Sequence, residues 1–185
     1  MNQDELSEKI KHITGVNFRE CYQCGKCTAG CPVADRMDLR PSTIMRMIQS
    51  GDAASEDALL RSMSIWLCLT CETCYSRCPM ELDIPKVIDY LREKSFAEGK
   101  VHPDAHNIVA FHKAFLNTVE RNGRLHEVGL VLDYKIHSGS FFQDVTIAPE
   151  MFLKGKLHLL PERIKGRKGF ARLFKDQFKK IKSLN

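Results

Sequence analysis

The run Cys21-Tyr22-Gln23-Cys24-Gly25-Lys26-Cys27-Thr28-Ala29-Gly30-Cys31-Pro32 decides how this chain is read. It returns 47 positions later as Cys68-Leu69-Thr70-Cys71-Glu72-Thr73-Cys74-Tyr75-Ser76-Arg77-Cys78-Pro79. Both stretches read C-x2-C-x2-C-x3-C-P, a spacing that holds [4Fe–4S] clusters in pairs. The two runs use all 8 cysteines of the chain. No thiol is left for a nucleophile or a structural disulfide.

Thiolates are soft donors, and four in tetrahedral array suit zinc or an iron–sulfur centre. The spacing separates the two. A structural zinc site pairs C-x2-4-C with a distant second pair, whereas here a third cysteine follows three residues after the second. Two [4Fe–4S] clusters are therefore the expected cofactors, with a zinc module as the weaker alternative. In such runs the fourth cysteine serves the other cluster. Cluster one is expected to take Cys21, Cys24, Cys27 and Cys78, and cluster two Cys68, Cys71, Cys74 and Cys31. Pro32 and Pro79 turn the chain away from its own loop after the remote ligand. The crossing couples folding to cluster insertion.

At 185 residues the chain makes one ordinary domain or two small ones. The first residues, MNQDELSEKIKH, carry no apolar signal segment, so a cytoplasmic location with reduced thiols is expected. No apolar run reaches the length of a transmembrane helix. The formal charge of +5 is unevenly spread. From Lys154 onward eleven Lys/Arg face only Glu162 and Asp176, a net +9, so the 153 residues before carry −4. An acidic electron-transfer body is followed by a basic tail, and nucleic acid is not an expected partner.

The fold class expected is mainly α: a helical ferredoxin-like domain over residues 1–98 holding both clusters, then a helical extension over 99–185. Periodicity and caps predict helices over Asp4–Ile13, Pro41–Ser50 and Glu56–Trp66, and one starting at Asp83–Pro85. A further helix is predicted from His102–Pro103 to Arg121, with Ile108, Phe111, Phe115, Leu116 and Val119 facing inward. Residues 124–160 read as loop, with possible short strands at Leu130–Leu132 and Val145–Ile147. The tail over 169–182 reads as an amphipathic helix, striped by Phe170, Leu173, Phe174, Phe178 and Ile181, that docks on a partner.

No second chemistry stands out. The histidines form no H-x-x-H or HExxH arrangement, and no Gly-x-Gly-x-x-Gly is present. No catalytic residue is expected in this chain. Gly25 and Gly30 are the positions where a bare backbone brings N–H groups close to sulfur, or else are plain turn glycines. Ile65, Trp66 and Leu67 are expected to shield cluster two, Trp66 as packing rather than as an electron relay.

The segments Cys21–Pro32, Ile65–Pro79, Asp83-Ile84-Pro85 with its helix, and Phe111–Gly123 together resemble the C subunits of the soluble CoB–CoM heterodisulfide reductases of methanogenic archaea. The resemblance implies a relay protein within a larger enzyme. Electrons would come from a flavin-containing A subunit, itself fed by a hydrogenase or formate dehydrogenase module. They would pass to a catalytic B subunit, whose noncubane clusters reduce CoM-S-S-CoB to its two thiols. In the soluble assembly this is coupled to ferredoxin reduction by flavin-based electron bifurcation. All eight cysteines map onto the family's ligands, and no CCG motif occurs. The alternatives are the iron–sulfur relay of another respiratory or sulfur-metabolism oxidoreductase and a free two-cluster ferredoxin. A succinate dehydrogenase-like relay would add a C-x4-C-x2-C run, which is absent.

Overall fold

Pro41 and Gly51 bracket the helix on which the first unit is built. Proline suits a first helical turn, and the chain leaves Pro41–Ser50 through Gly51 at φ 65°, a left-handed conformation that glycine adopts without penalty. The computed structural model describes residues 5–139, 161 and 164–183. Two compact units divide between Ala105 and His106. The division expected at residue 98 falls one loop earlier.

In the first unit, α1 (Glu5–Thr14) precedes the first cysteine loop, which carries the one-turn helix α2 (Lys26–Ala29). Then come α3 (Pro41–Ser50), α4 (Ala53–Arg61) and the short α5 (Ser64–Leu67), which delivers the chain to Cys68. The second loop carries the one-turn helix α6 (Thr73–Ser76), and α7 (Ile84–Ala97) closes the frame. The helix α7 packs on α1, α4 and α5, and α3 packs on α1, α2 and α4. Their shared core is Ile10, Phe18, Ile44, Met45, Ile48, Leu59, Leu60, Ile65, Val87, Ile88 and Leu91, all essentially solvent-free. Each such side chain contributes about 1.5–3 kcal/mol on burial. Asp83 caps α7 by accepting from Lys86 N at 3.1 Å, and Pro85 lies in its first turn.

The single helix expected over Glu56–Trp66 is two helices. The Asp38 carboxylate explains the break. It accepts from Ser62 Oγ at 2.8 Å, Met63 N at 3.2 Å and Ser64 N at 2.8 Å, and from the Ser64 hydroxyl. It satisfies backbone donors that a continuous helix would have spent on its own carbonyls. Burial alone would raise the Asp38 carboxyl, but hydrogen bonds from Ser64 and Ser62 outweigh it and hold the group below its ordinary value.

The second unit contains α8 (His106–Asn122), α9 (Glu127–Ser138) and α10 (Arg167–Ser183). The helix expected from His102 begins four residues later, after a 3-10 turn at Pro103–Ala105. Residues 127–138 form a helix, where loop and a short strand at Leu130–Leu132 were expected. Gly129 sits in the first turn of this helix: its N–H donates to the capping ring of His126 at 3.1 Å, and a Cβ there would meet that ring at 2.8 Å. The expected strand at Val145–Ile147 lies outside the described residues.

The buried row of α8 is Ala110, Ala114, Thr118 and Asn122, whereas Phe111, Phe115 and Leu116, expected to face inward, are 45%, 38% and 39% exposed. Small residues at four-residue spacing let α9 approach closely, and the large side chains flank the seam. Across it, Phe111 meets Tyr134 edge-on at 6.2 Å and Asn117 Nδ2 donates to Asp133 at 3.0 Å. The helix α10 packs against α8, with Phe170 and Phe174 half-buried and Leu173 65% exposed. Phe178 and Ile181 lie where side chains are not described. Among the described residues no strand occurs, and no helix is long and apolar enough to cross a membrane.

Candidate iron–sulfur centres

The two cysteine loops repeat one backbone device. In the first, Gln23 and Gly25 have φ of 60° and 76°; at the equivalent places in the second, Thr70 and Glu72 have φ of 49° and 58°. Two left-handed residues flanking the second cysteine wind the chain tightly enough to present three thiols to one side. For a β-branched residue such as Thr70 the conformation is a genuine strain.

The third cysteine of each run, Cys27 or Cys74, rides on the one-turn helix α2 or α6, and these two helices pack on each other. The fourth, Cys31 or Cys78, follows at the turn before proline. The outcome is two cavities. One is lined by Cys31, Cys68, Cys71 and Cys74, with apolar walls that include Val33, Met37, Ile44 and Ile88. The other is lined by Cys21, Cys24, Cys27 and Cys78, with Met45 and Leu82. Each cavity thus gathers three thiols from one run and one from the other. Among the described residues no His, Cys, Asp or Glu group converges on a single-ion site. Four soft donors around a largely apolar hollow fit an iron–sulfur cube.

Different residues hold the two loops in place. On the first, Gln49 of α3 donates through Nε2 to the carbonyls of Phe18 at 2.8 Å and Cys21 at 2.7 Å. Its Oε1 accepts from Gln23 Nε2 at 2.6 Å, and Gln23 in turn points at Cys21 Sγ at 3.6 Å. On the second, Arg92 of α7 donates from Nε to the Ile65 carbonyl and from Nη2 to the Cys68 carbonyl. Nη1 of the same guanidinium bonds Asp89 at 3.0 Å. None of Gln49, Arg92 or Asp38 was singled out from the sequence. Arg92 alone left a trace there: it interrupts the apolar helical row of Pro85 and Ile88.

The thiols differ accordingly. Burial raises Cys27 and Cys68, and it pushes Cys74 up to about 12. At Cys68 the Thr70 backbone N–H and the Arg92 guanidinium oppose the burial. At Cys71 a hydrogen bond with the Thr73 hydroxyl, at 3.4 Å, lowers the thiol. The buried thiols are held neutral without metal, and cluster binding displaces their protons.

Two expectations need correcting. Gly30 is right-handed, and what it accommodates is Arg77: a Cβ at Gly30 would meet the Arg77 Cδ and Nη1 at 2.5 Å. The amides that approach sulfur include those of Thr28, Thr70, Thr73 and Tyr75 and those of Cys27, Cys71 and Cys74 themselves. Ile65, Trp66 and Leu67 do not line the second cavity. Ile65 and Trp66 are buried in the core, the Trp66 indole nitrogen with no partner among the described residues.

Comparison with known proteins adds to this geometry. A family model described as a 4Fe-4S dicluster domain matches residues 20–83. The chain is 33% identical to the C subunit of the H(2):CoB-CoM heterodisulfide,ferredoxin reductase of Methanothermobacter thermautotrophicus over 105 residues, 57% of this chain and 55% of that protein. Against the iron-sulfur C subunit of the CoB--CoM heterodisulfide reductase of Methanopyrus kandleri it is 35% identical, covering 58% and 56%. Against the iron-sulfur C 2 subunit of the Methanocaldococcus jannaschii enzyme it is 32% identical over 129 residues, covering 68% and 67%. The chain spans a little over half the length of the first two relatives.

Proposed function

The chain belongs to the C-subunit family of CoB–CoM heterodisulfide reductases, and from that membership we propose that it is the electron relay of such an enzyme, holding two [4Fe–4S] clusters. Cys21, Cys24, Cys27 and Cys78 hold one cluster, and Cys68, Cys71, Cys74 and Cys31 the other. The observation that carries this reading is the pair of cavities, each lined by four thiols drawn from both runs.

Each cluster, when bound, stores and releases one electron. The protein's part is to hold and insulate. The left-handed residues Gln23, Gly25, Thr70 and Glu72 aim the thiols. Val33, Met37 and Ile88 form an apolar wall of one cavity and Met45 of the other, so on that side little solvent has to reorganise when charge moves. Among the described residues no group is assigned to the chemistry of the disulfide itself. Electrons enter from a flavin-containing A subunit, supplied by a hydrogenase or formate dehydrogenase module. They leave to the B subunit, which reduces CoM-S-S-CoB to coenzyme M and coenzyme B thiols. In a soluble cytoplasmic assembly the reaction is coupled to ferredoxin reduction by bifurcation at the flavin. The basic helix α10 docks on an acidic neighbour, with Leu173 as an apolar contact.

The test is reconstitution of the reductase from its separate components with and without this chain. Omitting it should leave flavin reduction intact and stop heterodisulfide reduction, and adding the holoprotein back should restore it. Unimpaired heterodisulfide reduction without the chain would refute the relay.

A further inference from the structure

We infer that Arg92 sets the two centres apart in reduction potential, making the centre of Cys31, Cys68, Cys71 and Cys74 the one where the electron preferentially rests, and therefore the exit side of the relay. This rests on the reading that each cavity holds one [4Fe–4S] cluster. A cluster becomes more negative by one charge on reduction. A nearby fixed cation stabilises that form, and the effect is strong where water is scarce.

The two centres can be set side by side. Each has a side-chain hydrogen bond at a thiol: Gln23 to Cys21 at 3.6 Å in the first, Thr73 with Cys71 at 3.4 Å in the second. The exposed Tyr22 hydroxyl adds a neutral contact to Cys24 on the first side. These contributions are alike in kind and largely offset. The charges are not alike. The loop of the first centre is pinned by the neutral amide of Gln49, and the cations beside its ligands, Lys26 next to Cys27 and Arg77 next to Cys78, are exposed and screened by water. The second loop is pinned by a guanidinium whose side chain is only 17% exposed, bonded to the carbonyl of a ligand cysteine. Asp89 offsets part of that charge, but its own side chain is 57% exposed. The net field therefore favours an electron on the second centre. In the transfer, one electron leaves the first centre, which is oxidised, and one arrives at the second, which is reduced. No bond is made or broken and no proton moves.

The experiment is a redox titration followed by electron paramagnetic resonance on anaerobic holoprotein, as wild type, Arg92→Gln, Arg92→Lys and Asp89→Asn, each first assayed for iron and sulfide. Finding fewer than two clusters in the wild type would defeat the relay reading itself. With two clusters present, Arg92→Gln should weaken reduction of the higher-potential cluster about tenfold, ~59 mV for one electron, and leave the lower one unmoved. Arg92→Lys should keep most of the wild-type value, and Asp89→Asn should shift the same cluster the other way. If Arg92→Gln fails to assemble its second cluster, the other two variants decide. Movement of the lower-potential cluster, equal movement of both, no movement, or a fall in Arg92→Lys as large as in Arg92→Gln would overturn the inference.

Discussion

The two cysteine loops share a spacing, a pair of left-handed residues and a one-turn helix, yet they are held by different chemistry. The first uses Gly25 where the second strains Glu72, and it is pinned by an amide from α3 where the second is pinned by a guanidinium from α7. The repeat fixes where the sulfurs go. The surroundings, which do not repeat, decide how each centre behaves. A duplicated motif thus gives two sites of one geometry with separately adjustable electrostatics.

The most damaging way to break the comparison is at its crossing. Cys31→Ser should strip or alter the cluster of Cys68, Cys71 and Cys74, and Cys78→Ser that of Cys21, Cys24 and Cys27, read by iron content and magnetic resonance. Selective loss of the opposite cluster in either variant would refute the crossed sets.

Next comes Asp38→Ala, which removes the acceptor that ends α4 and starts α5 ahead of the second loop. It should cost about 1–2 kcal/mol, as loss of a helix cap does, measured by denaturant titration. The pH dependence has a definite sign. Because the folded state holds Asp38 below its ordinary 3.8, its contribution is full above that pH and fades as pH falls through the lowered value. The difference between wild type and variant should therefore shrink in acid.

Gln49→Ala is the corresponding lesion on the first loop. It leaves the Phe18 and Cys21 carbonyls without their donor and should cost roughly 1–2 kcal/mol, with the first cluster released at lower denaturant and the second unaffected. Equal labilisation of both would remove the distinction drawn between the loops.

The smallest effects concern two glycines. Gly25→Ala has open space for a methyl group but forces φ 76° on an L-residue, which costs about 1 kcal/mol. Gly30→Ala meets only the flexible end of Arg77, which swings outward, so it should cost less. The reverse order in thermal unfolding would contradict the roles given to the two positions.

What was legible in the sequence was whatever local chemistry dictates. The cysteine runs announced the two thiol-lined cavities. Pro41, Gly51 and Asp83 announced helix ends, because caps act within one turn. What stayed hidden depends on residues distant in sequence. Asp38 breaks a helix some 25 positions away, and Gln49 and Arg92 reach loops from helices outside the cysteine runs. The inner face of α8 was misread because periodicity favours large apolar residues, while close packing against α9 selects Ala110 and Ala114.

On the proposed function, the eight thiols form two complete cluster sites. Iron and acid-labile sulfide analysis of anaerobically purified protein tests it most directly. The expected result is about eight iron and about eight sulfide per chain, falling by about half in Cys31→Ser as one cluster is lost. Stoichiometric zinc, or about four iron in the wild type, would contradict it.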